Sequence, residues 1–501
     1  MSNFKLSMSP ILIISFIVFY FLFLMGIAWY TSRKSTADAY FLGNKASPWY
    51  IVAFGMIGDS LSGVTYISVP GKVGTAHFSY LQLVIGYFVG YFIISHILLP
   101  IYYKLNLTSI YEYLKERFGR YTQKTGALFF ILSRILGAAG RLYLAAGVIQ
   151  LFVFDQFETV HIPFWVSVSV ILALMLLYTY KGGIKTLVWT DSFQSFFLVL
   201  GVVLSIVAIV NTLDISFGDA ISRIVSSDYT ETFFWDWKKS NFFFKEFLGG
   251  VFIAVAMTGL DQNMMQKNLS CKSLGEAQKN IFWFSIIMVI VTVIFLSLGA
   301  LLYIYYNSTG TELPINPETG KILSDKVFPN LALNHLGMFA GLVFIIGLTA
   351  ATFSSADSVL TTLTTSFYID ILEYDKNTRL SEKQKTKYRT IIHILFAVTL
   401  WAVILLFDAL NQKAIIDTVL MVAGYTYGPL LGLFALGLFS KVKLNDVFVP
   451  FVCILAPILT YLLSNTYKSM LGEYQIGNEL ILINAFVTIA LLLIIQKRRT
   501  V

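Results

Sequence analysis

The chain has 501 residues, of which 57% are hydrophobic and only 13% charged, with a formal net charge of +8 and a mean hydropathy of +0.73. A soluble domain carries about 25% charged residues, so the composition predicts an all-α polytopic membrane protein and turns the basic excess into a question of membrane topology, away from nucleic-acid binding. Two cysteines, Cys271 and Cys453, exclude a disulfide framework and a four-cysteine metal centre.

Apolar stretches of spanning length fall at 9–30, 49–71, 77–103, 126–152, 161–180, 188–211, 245–265, 279–305, 337–371, 390–408, 414–439, 446–464 and 478–496, thirteen segments numbered here 0 to 12. Segment 0 is too long for a signal-peptide core and has no small-residue cleavage site, so a retained helix is expected. With the N-terminus outside, inward-facing segments hold 24 Lys/Arg residues and outward-facing ones 10. That bias predicts a cytoplasmic C-terminus, with Lys497-Arg498-Arg499 on the inner side. The stretches 31–48, 104–125, 212–244 and 306–336 are loop-sized; a short surface helix is expected over Tyr111–Arg120.

Segment 1 carries Gly55, Gly58, Gly63, Pro70 and Gly71 among several hydroxyls, a poor composition for a continuous helix. An opening near 59–65 frees the carbonyls of Gly58 and Leu61 to face a cation. Segment 6 is weak at Thr258-Gly259, followed by Asp261-Gln262. Interruptions at corresponding positions of two halves point to a secondary transporter built from inverted repeats. In segment 8, Ser354, Asp357 and Ser358 stand at i, i+3 and i+4, with Ser355 alongside, so one helix face offers only oxygens. A carboxylate at that depth marks a functional site, and oxygens suit a small hard cation. A polar seam bonding a neighbouring helix is the alternative.

Several runs resemble the sodium:solute symporter family: Gly259-Leu260-Asp261-Gln262, Gln266-Lys267 and Glu276-Ala277-Gln278-Lys279, then Gly182-Gly183-Ile184 with Trp189-Thr190-Asp191-Ser192-Phe193-Gln194, and residues 99–119. The resemblance covers segments 0 to 10 and extends to the family's sialic acid branch and its iodide and multivitamin branch. It implies a LeuT-type fold of two inverted five-helix repeats with about 13 transmembrane helices. The division expected is a peripheral helix and inner loop (1–48), a first repeat (49–211), an outer loop (212–244), a second repeat (245–439) and peripheral helices with a cytoplasmic tail (440–501).

The same resemblance implies a sodium site on Gly58, Leu61, Ala351, Ser354 and Ser355, and a second on Asp191, Ser354 and Ser358. Asp357 stands where the sialic acid branch has a hydroxyl. Two carboxylates in one pocket repel by several kcal/mol at low dielectric, so a second sodium held between Asp191 and Asp357 is expected. Asp191 capping its helix or pairing with Lys185 is the alternative. Ser62 and Thr65 match substrate-contacting positions, and Tyr66, Phe78 and Gln82 are further candidates for the cavity wall. Arg134 and Arg141 lie seven apart on one face and suit a carboxylate. Neither matches the branch's carboxylate-binding position, which is Gly137. An arginine paired with an intramembrane aspartate, for instance Asp59, is the competing use.

These residues describe a non-enzymatic, monomeric, Na⁺-coupled symporter importing a small polar solute (a sugar, a sialic acid or another organic anion) across a bacterial inner membrane by alternating access. A sensor that keeps the transporter fold without coupled transport is the second reading.

Overall fold

The computed structural model describes residues 10–32, 37–157, 161–317, 319–410, 415–470 and 474–497; Arg498 and Arg499 of the basic tail lie outside them. The described residues are almost wholly helical: α1 (Pro10–Ser32), α2 (Trp49–Ser60), α3 (Gly63–Ala76), α4 (Tyr80–Ile93), α5 (Arg120–Phe152), α6 (Phe164–Thr212), α7 (Phe243–Ala254), α8 (Gln262–Leu269), α9 (Leu274–Thr309), α10 (Gly337–Ser366), α11 (Glu382–Ala409), α12 (Ile415–Phe439), α13 (Val449–Met470) and α14 (Leu480–Ile494). Extended pairing among these residues is limited to isolated bridges.

Nine helices among the described residues are long and apolar enough to cross a membrane, and two broken pairs raise the number to eleven. The two expected segments that remain, 4 and 12, correspond to Phe164–Thr179 and Leu480–Ile494, which are shorter. At about 1.5 Å per residue, neither reaches the roughly 30 Å of a hydrocarbon core. Phe164–Thr179 continues through a sharp reversal at Gly183 (φ +54°) into the rest of α6. Only glycine suits that backbone, because a Cβ there would strike the Tyr40 main chain. The surface helix expected over Tyr111–Arg120 spans only Glu112–Arg117, and Gly119 (φ +140°) separates it from α5.

The broken pairs are α2 with α3, bent by 63°, and α7 with its following π turn (Val255–Gly259) against α8, bent by 64°. They fall in the two segments whose glycines predicted weakness. Around them, α7 packs along α4, α9 against α2 and α3, and α10 against α6 and α5. Glycines permit the closest approach. At the α4–α7 crossing, a Cβ on Gly86 would meet the Phe247 carbonyl, and one on Gly250 the Leu83 carbonyl. Membrane helices use small residues in this way because lipid offers no hydrophobic drive for association.

Gly250→Val is therefore expected to lose about 1–3 kcal/mol through overpacking, seen as a lower melting temperature of the purified protein. Gly147→Ala is the control, since nothing lies within 4 Å of its added Cβ; equal melting of the two variants would refute this account of the crossing.

Candidate functional site

The first break spans Leu61 (φ −98°, ψ 75°) and Ser62 (φ −67°, ψ 172°). Regular bonding resumes when the Tyr66 amide donates to the Ser62 carbonyl at 2.9 Å. The amides of Ser62 and Thr65 do not close their turns, so the carbonyls of Gly58 and Leu61 have no i+4 donor. Gly58 lies directly on α10: an added Cβ would collide with Ser354 Oγ. The Gly58 amide donates to Ser195 Oγ at 2.8 Å. Ser354 Oγ is buried and has no hydrogen-bond partner. Ser355 Oγ donates to the Thr352 carbonyl at 3.1 Å, and Ala351 stands one turn before Ser355 in buried α10. The structure thus collects two freed carbonyls and an unpartnered hydroxyl at one helix contact. Neutral oxygens in that arrangement fit a hard monovalent cation.

The second break has the same bend and a different chemistry. Tyr102 donates to the Gly259 carbonyl at 2.9 Å and Tyr111 to the Leu260 carbonyl at 3.1 Å. Asp261 caps α8 by accepting from the Met264 amide at 3.1 Å. Tyrosine hydroxyls therefore satisfy the carbonyls that the bend releases.

Buried charges join the two breaks. Arg134 Nε donates to Asp261 Oδ2 at 2.6 Å, with both side chains almost inaccessible. Tyr427 donates to the same oxygen. The Lys267 ammonium, 1% exposed, contacts Asp59 Oδ2 and Asp191 Oδ2 and lies 2.9 Å from Ser358 Oγ. Ser358 Oγ also donates to Asp191 Oδ2 at 3.1 Å. Asp357 Oδ2 accepts from Tyr178 at 2.7 Å and from Gln194 at 3.5 Å.

Asp191 and Asp357 each have a partner of their own, Lys267 and Tyr178, and two further pairings differ from expectation. The lysine on Asp191 is Lys267, not Lys185. Asp59 meets that lysine and no arginine, while Arg134 takes Asp261. Lys267 stood in the sequence only as part of a motif, and its partners lie too far along the chain for local spacing to reveal them.

A cavity of about 100 Å³ adjoins the first break. Ser62, Thr65, Arg134 and Arg141 line it, together with Asp59, Tyr80, Tyr87, Tyr91 and Thr258. Three candidate wall residues lie elsewhere. Tyr66 is buried among Phe295, Phe328 and Phe344, because Gly201 and Gly347 leave room for its hydroxyl there. The Phe78 amide donates to the Glu231 carbonyl at 3.0 Å. Gln82 accepts from the Phe234 amide at 3.2 Å and donates to the Asn241 carbonyl at 3.0 Å. Phe78 and Gln82 thus tie down the 212–244 loop. Sequence reasoning missed Tyr80, Tyr87 and Tyr91, although spacings of seven and four set them on one helix face. Arg134 is neutralised by Asp261, whereas Arg141 has no carboxylate partner among the described residues.

The sequence pattern of the sodium:solute symporter family matches residues 40–446. The chain belongs to this family. It is 27% identical to the sodium/sialic acid symporter NanT of Aliivibrio fischeri (strain ATCC 700601 / ES114) over 467 residues, which is 92% of this chain and 89% of the relative. It is 26% identical to sodium-coupled monocarboxylate transporter 1 of Xenopus laevis over 419 residues, 81% of this chain and 63% of the relative. A solved structure of a Na⁺-coupled sialic acid symporter in a substrate-bound outward-open state superposes with a TM-score of 0.80 at 23% identity, covering 96% of this chain and 97% of that one. The chain thus has the LeuT-type fold of secondary transporters.

Within this symporter the motif residues have visible tasks. Gln262 accepts from the Ile110 amide and donates to the Thr108 carbonyl, both at 2.9 Å. Gln266 donates to the Phe41 carbonyl at 2.7 Å. Gln278 donates to the Ser95 carbonyl at 3.0 Å. The run after the second break ties itself to the loop at 108–110, to the short helix Ala37–Leu42 and to the π-helical stretch Ile94–Leu98.

Arg134→Ala is expected to cost about 3–5 kcal/mol, since it leaves Asp261 as an uncompensated buried charge. The Arg134→Ala, Asp261→Ala double variant is expected to lose less than the two single losses combined. Melting of the four proteins measures this; additive losses would show that the pair is not coupled.

Proposed function

We propose that this symporter imports a small organic anion, a monocarboxylate or sugar acid, with its carboxylate on Arg141 and Na⁺ on Gly58, Leu61, Ala351, Ser354 and Ser355. The observation that carries the reading is Arg141: a guanidinium without a carboxylate partner, facing a cavity beside the break that presents unbonded carbonyls to Ser354. Guanidinium binds carboxylate through two parallel hydrogen bonds, and Ser62 and Thr65 supply hydroxyls beside it. Tyr80, Tyr87 and Tyr91 add aromatic wall and polar tips, which suits a polar solute with an apolar face. Relatives named for sialic acid and for monocarboxylates both take carboxylates.

A larger cavity bounded by Lys72, Glu246, Tyr425 and Asn478 shares the wall residue Ile253 with the central one, and Ser240 of the 212–244 loop lines it, which favours solute entry from the side that this loop covers. That side is the outside in the orientation favoured by the Lys/Arg bias, with the C-terminus in the cytoplasm of a bacterial cell.

Thermal-shift screening of the purified protein against monocarboxylates, sialic acids, neutral sugars and amino acids, with Na⁺ or choline, identifies the class. A carboxylate is expected to raise the melting temperature only with Na⁺; stabilisation by a neutral sugar alone would overturn the anion assignment. Arg141→Gln is expected to weaken that carboxylate about 10- to 150-fold, the equivalent of about 1.5–3 kcal/mol for a charge-assisted hydrogen bond, with the unliganded melting temperature unchanged. Ser354→Ala with Ser355→Ala is expected to abolish the sodium dependence of uptake into proteoliposomes; uptake that still rises with external Na⁺ would refute the sodium site.

A further inference from the structure

We propose that the Lys267 ammonium is a built-in cation that takes the place of a second sodium ion, so that the symporter binds one Na⁺ per transported anion. The proposal rests on the sodium-coupled reading above and goes beyond it by fixing the ion count.

Lys267 belongs to the second broken span, yet its side chain ends at the first. Its nitrogen touches one oxygen of Asp59 and one of Asp191 and is 2.9 Å from Ser358 Oγ. Two carboxylates and a hydroxyl around a single positive centre form the oxygen shell of a monovalent cation. Here the cation is covalently tethered, 1% exposed, and donates hydrogen bonds to every member of the shell.

Two of the three shell members, Asp191 and Ser358, are among the residues expected to hold a second sodium. A sodium on Asp191 would face the ammonium across a few ångströms in a site of low dielectric. Like charges at that distance repel by several kcal/mol. Asp357 does not provide a substitute site, because its Oδ2 is occupied by Tyr178 at 2.7 Å and Gln194 at 3.5 Å and its Oδ1 accepts from the Ser358 amide. Asp59 Oδ1 and Asp191 Oδ1 have no hydrogen-bond partner, but both belong to carboxylates already in contact with the ammonium, so the oxygens a sodium can reach without facing that charge are the neutral ones at the first break: the Gly58 and Leu61 carbonyls and the unpartnered Ser354 hydroxyl.

The consequence is electrical. One Na⁺ carried with one monoanion moves no net charge, so uptake is indifferent to membrane potential. Lys267 stays with the protein throughout and contributes its charge to the site without being transported.

The test counts ions on the purified full-length protein by equilibrium binding of radioactive Na⁺ without substrate. Wild type is expected to bind one Na⁺ with a Hill coefficient near one. Lys267→Met uncovers the carboxylates of Asp59 and Asp191 and is expected to bind two, with uptake in proteoliposomes becoming sensitive to an inside-negative potential. Asp191→Asn is expected to keep the wild-type count of one. Two sodium ions on wild type, or the loss of one in Asp191→Asn, would overturn the proposal while leaving coupled transport intact. No sodium on wild type would overturn the coupled-transport reading itself.

Discussion

A carbonyl without a donor inside a membrane is the constraint on which this structure turns. Every backbone polar group at that depth must find a partner within the protein or in a wet cavity, and an unmet one costs a few kcal/mol. Both broken spans bend by nearly the same angle, 63° and 64°, and both release carbonyls. At the second break Tyr102 and Tyr111 answer them. At the first, no backbone donor reaches Gly58 or Leu61, and the group facing Gly58 is a hydroxyl that is itself without a partner. The pseudo-symmetry of the backbone is thus broken by side chains, and only the first bend keeps carbonyls that no donor answers.

Buried charge follows the same rule of internal satisfaction. Arg134 with Asp261 fastens α5 to the start of α8. Lys267, in the second turn of α8, reaches back to Asp59 at the end of α2 and to Asp191 on α6. Each connection runs between elements that must keep their relative positions for the cavity to exist. Asp59 also lines that cavity, so the lysine cluster and the solute share a wall. Arg141, seven residues after Arg134, lines the same cavity without a carboxylate partner among the described residues, so two arginines on one face have different surroundings.

Local spacing made part of this legible in the sequence. Gly58, Gly63 and Gly259 mark the breaks because glycine density acts within a few residues, and Ser354 with its neighbours is readable because i+3 and i+4 positions share a helix face. Ser62 and Thr65, expected from the family resemblance, and Arg134 and Arg141, expected to share one face by their seven-residue spacing, all line the cavity. Tyr66 failed because it lies only one residue from Thr65 and so points to another side of α3, into the aromatic cluster of Phe295, Phe328 and Phe344. Gln82 failed because its partners are main-chain groups of a loop some 150 residues away. Lys267 was hidden most completely: Asp59 is separated from it by 208 positions and Asp191 by 76, and no periodicity encodes such contacts. What reads as a family motif is, in three dimensions, a set of long-range ties.

Ion pairs at the far end of α10 obey a different economy. Arg120 holds Glu373 through two hydrogen bonds, at 2.8 and 3.0 Å, and Lys376 holds Glu112 at 2.6 Å, but the Arg120 and Lys376 side chains are 60% and 64% exposed. Pairs so open to water contribute about 0–1 kcal/mol each, whereas breaking a buried pair costs about 3–5 kcal/mol. The weak pairs join residues 112–120 to 373–376 at the surface, and beneath them buried Asp370 accepts from Ser109 at 2.7 Å and from Gln123 at 2.9 Å. The strong ones lie between the broken spans and the helices that carry the cavity. The surface pairs share no residue with the Lys267 and Arg134 contacts, so the charges that hold the centre together do not depend on them.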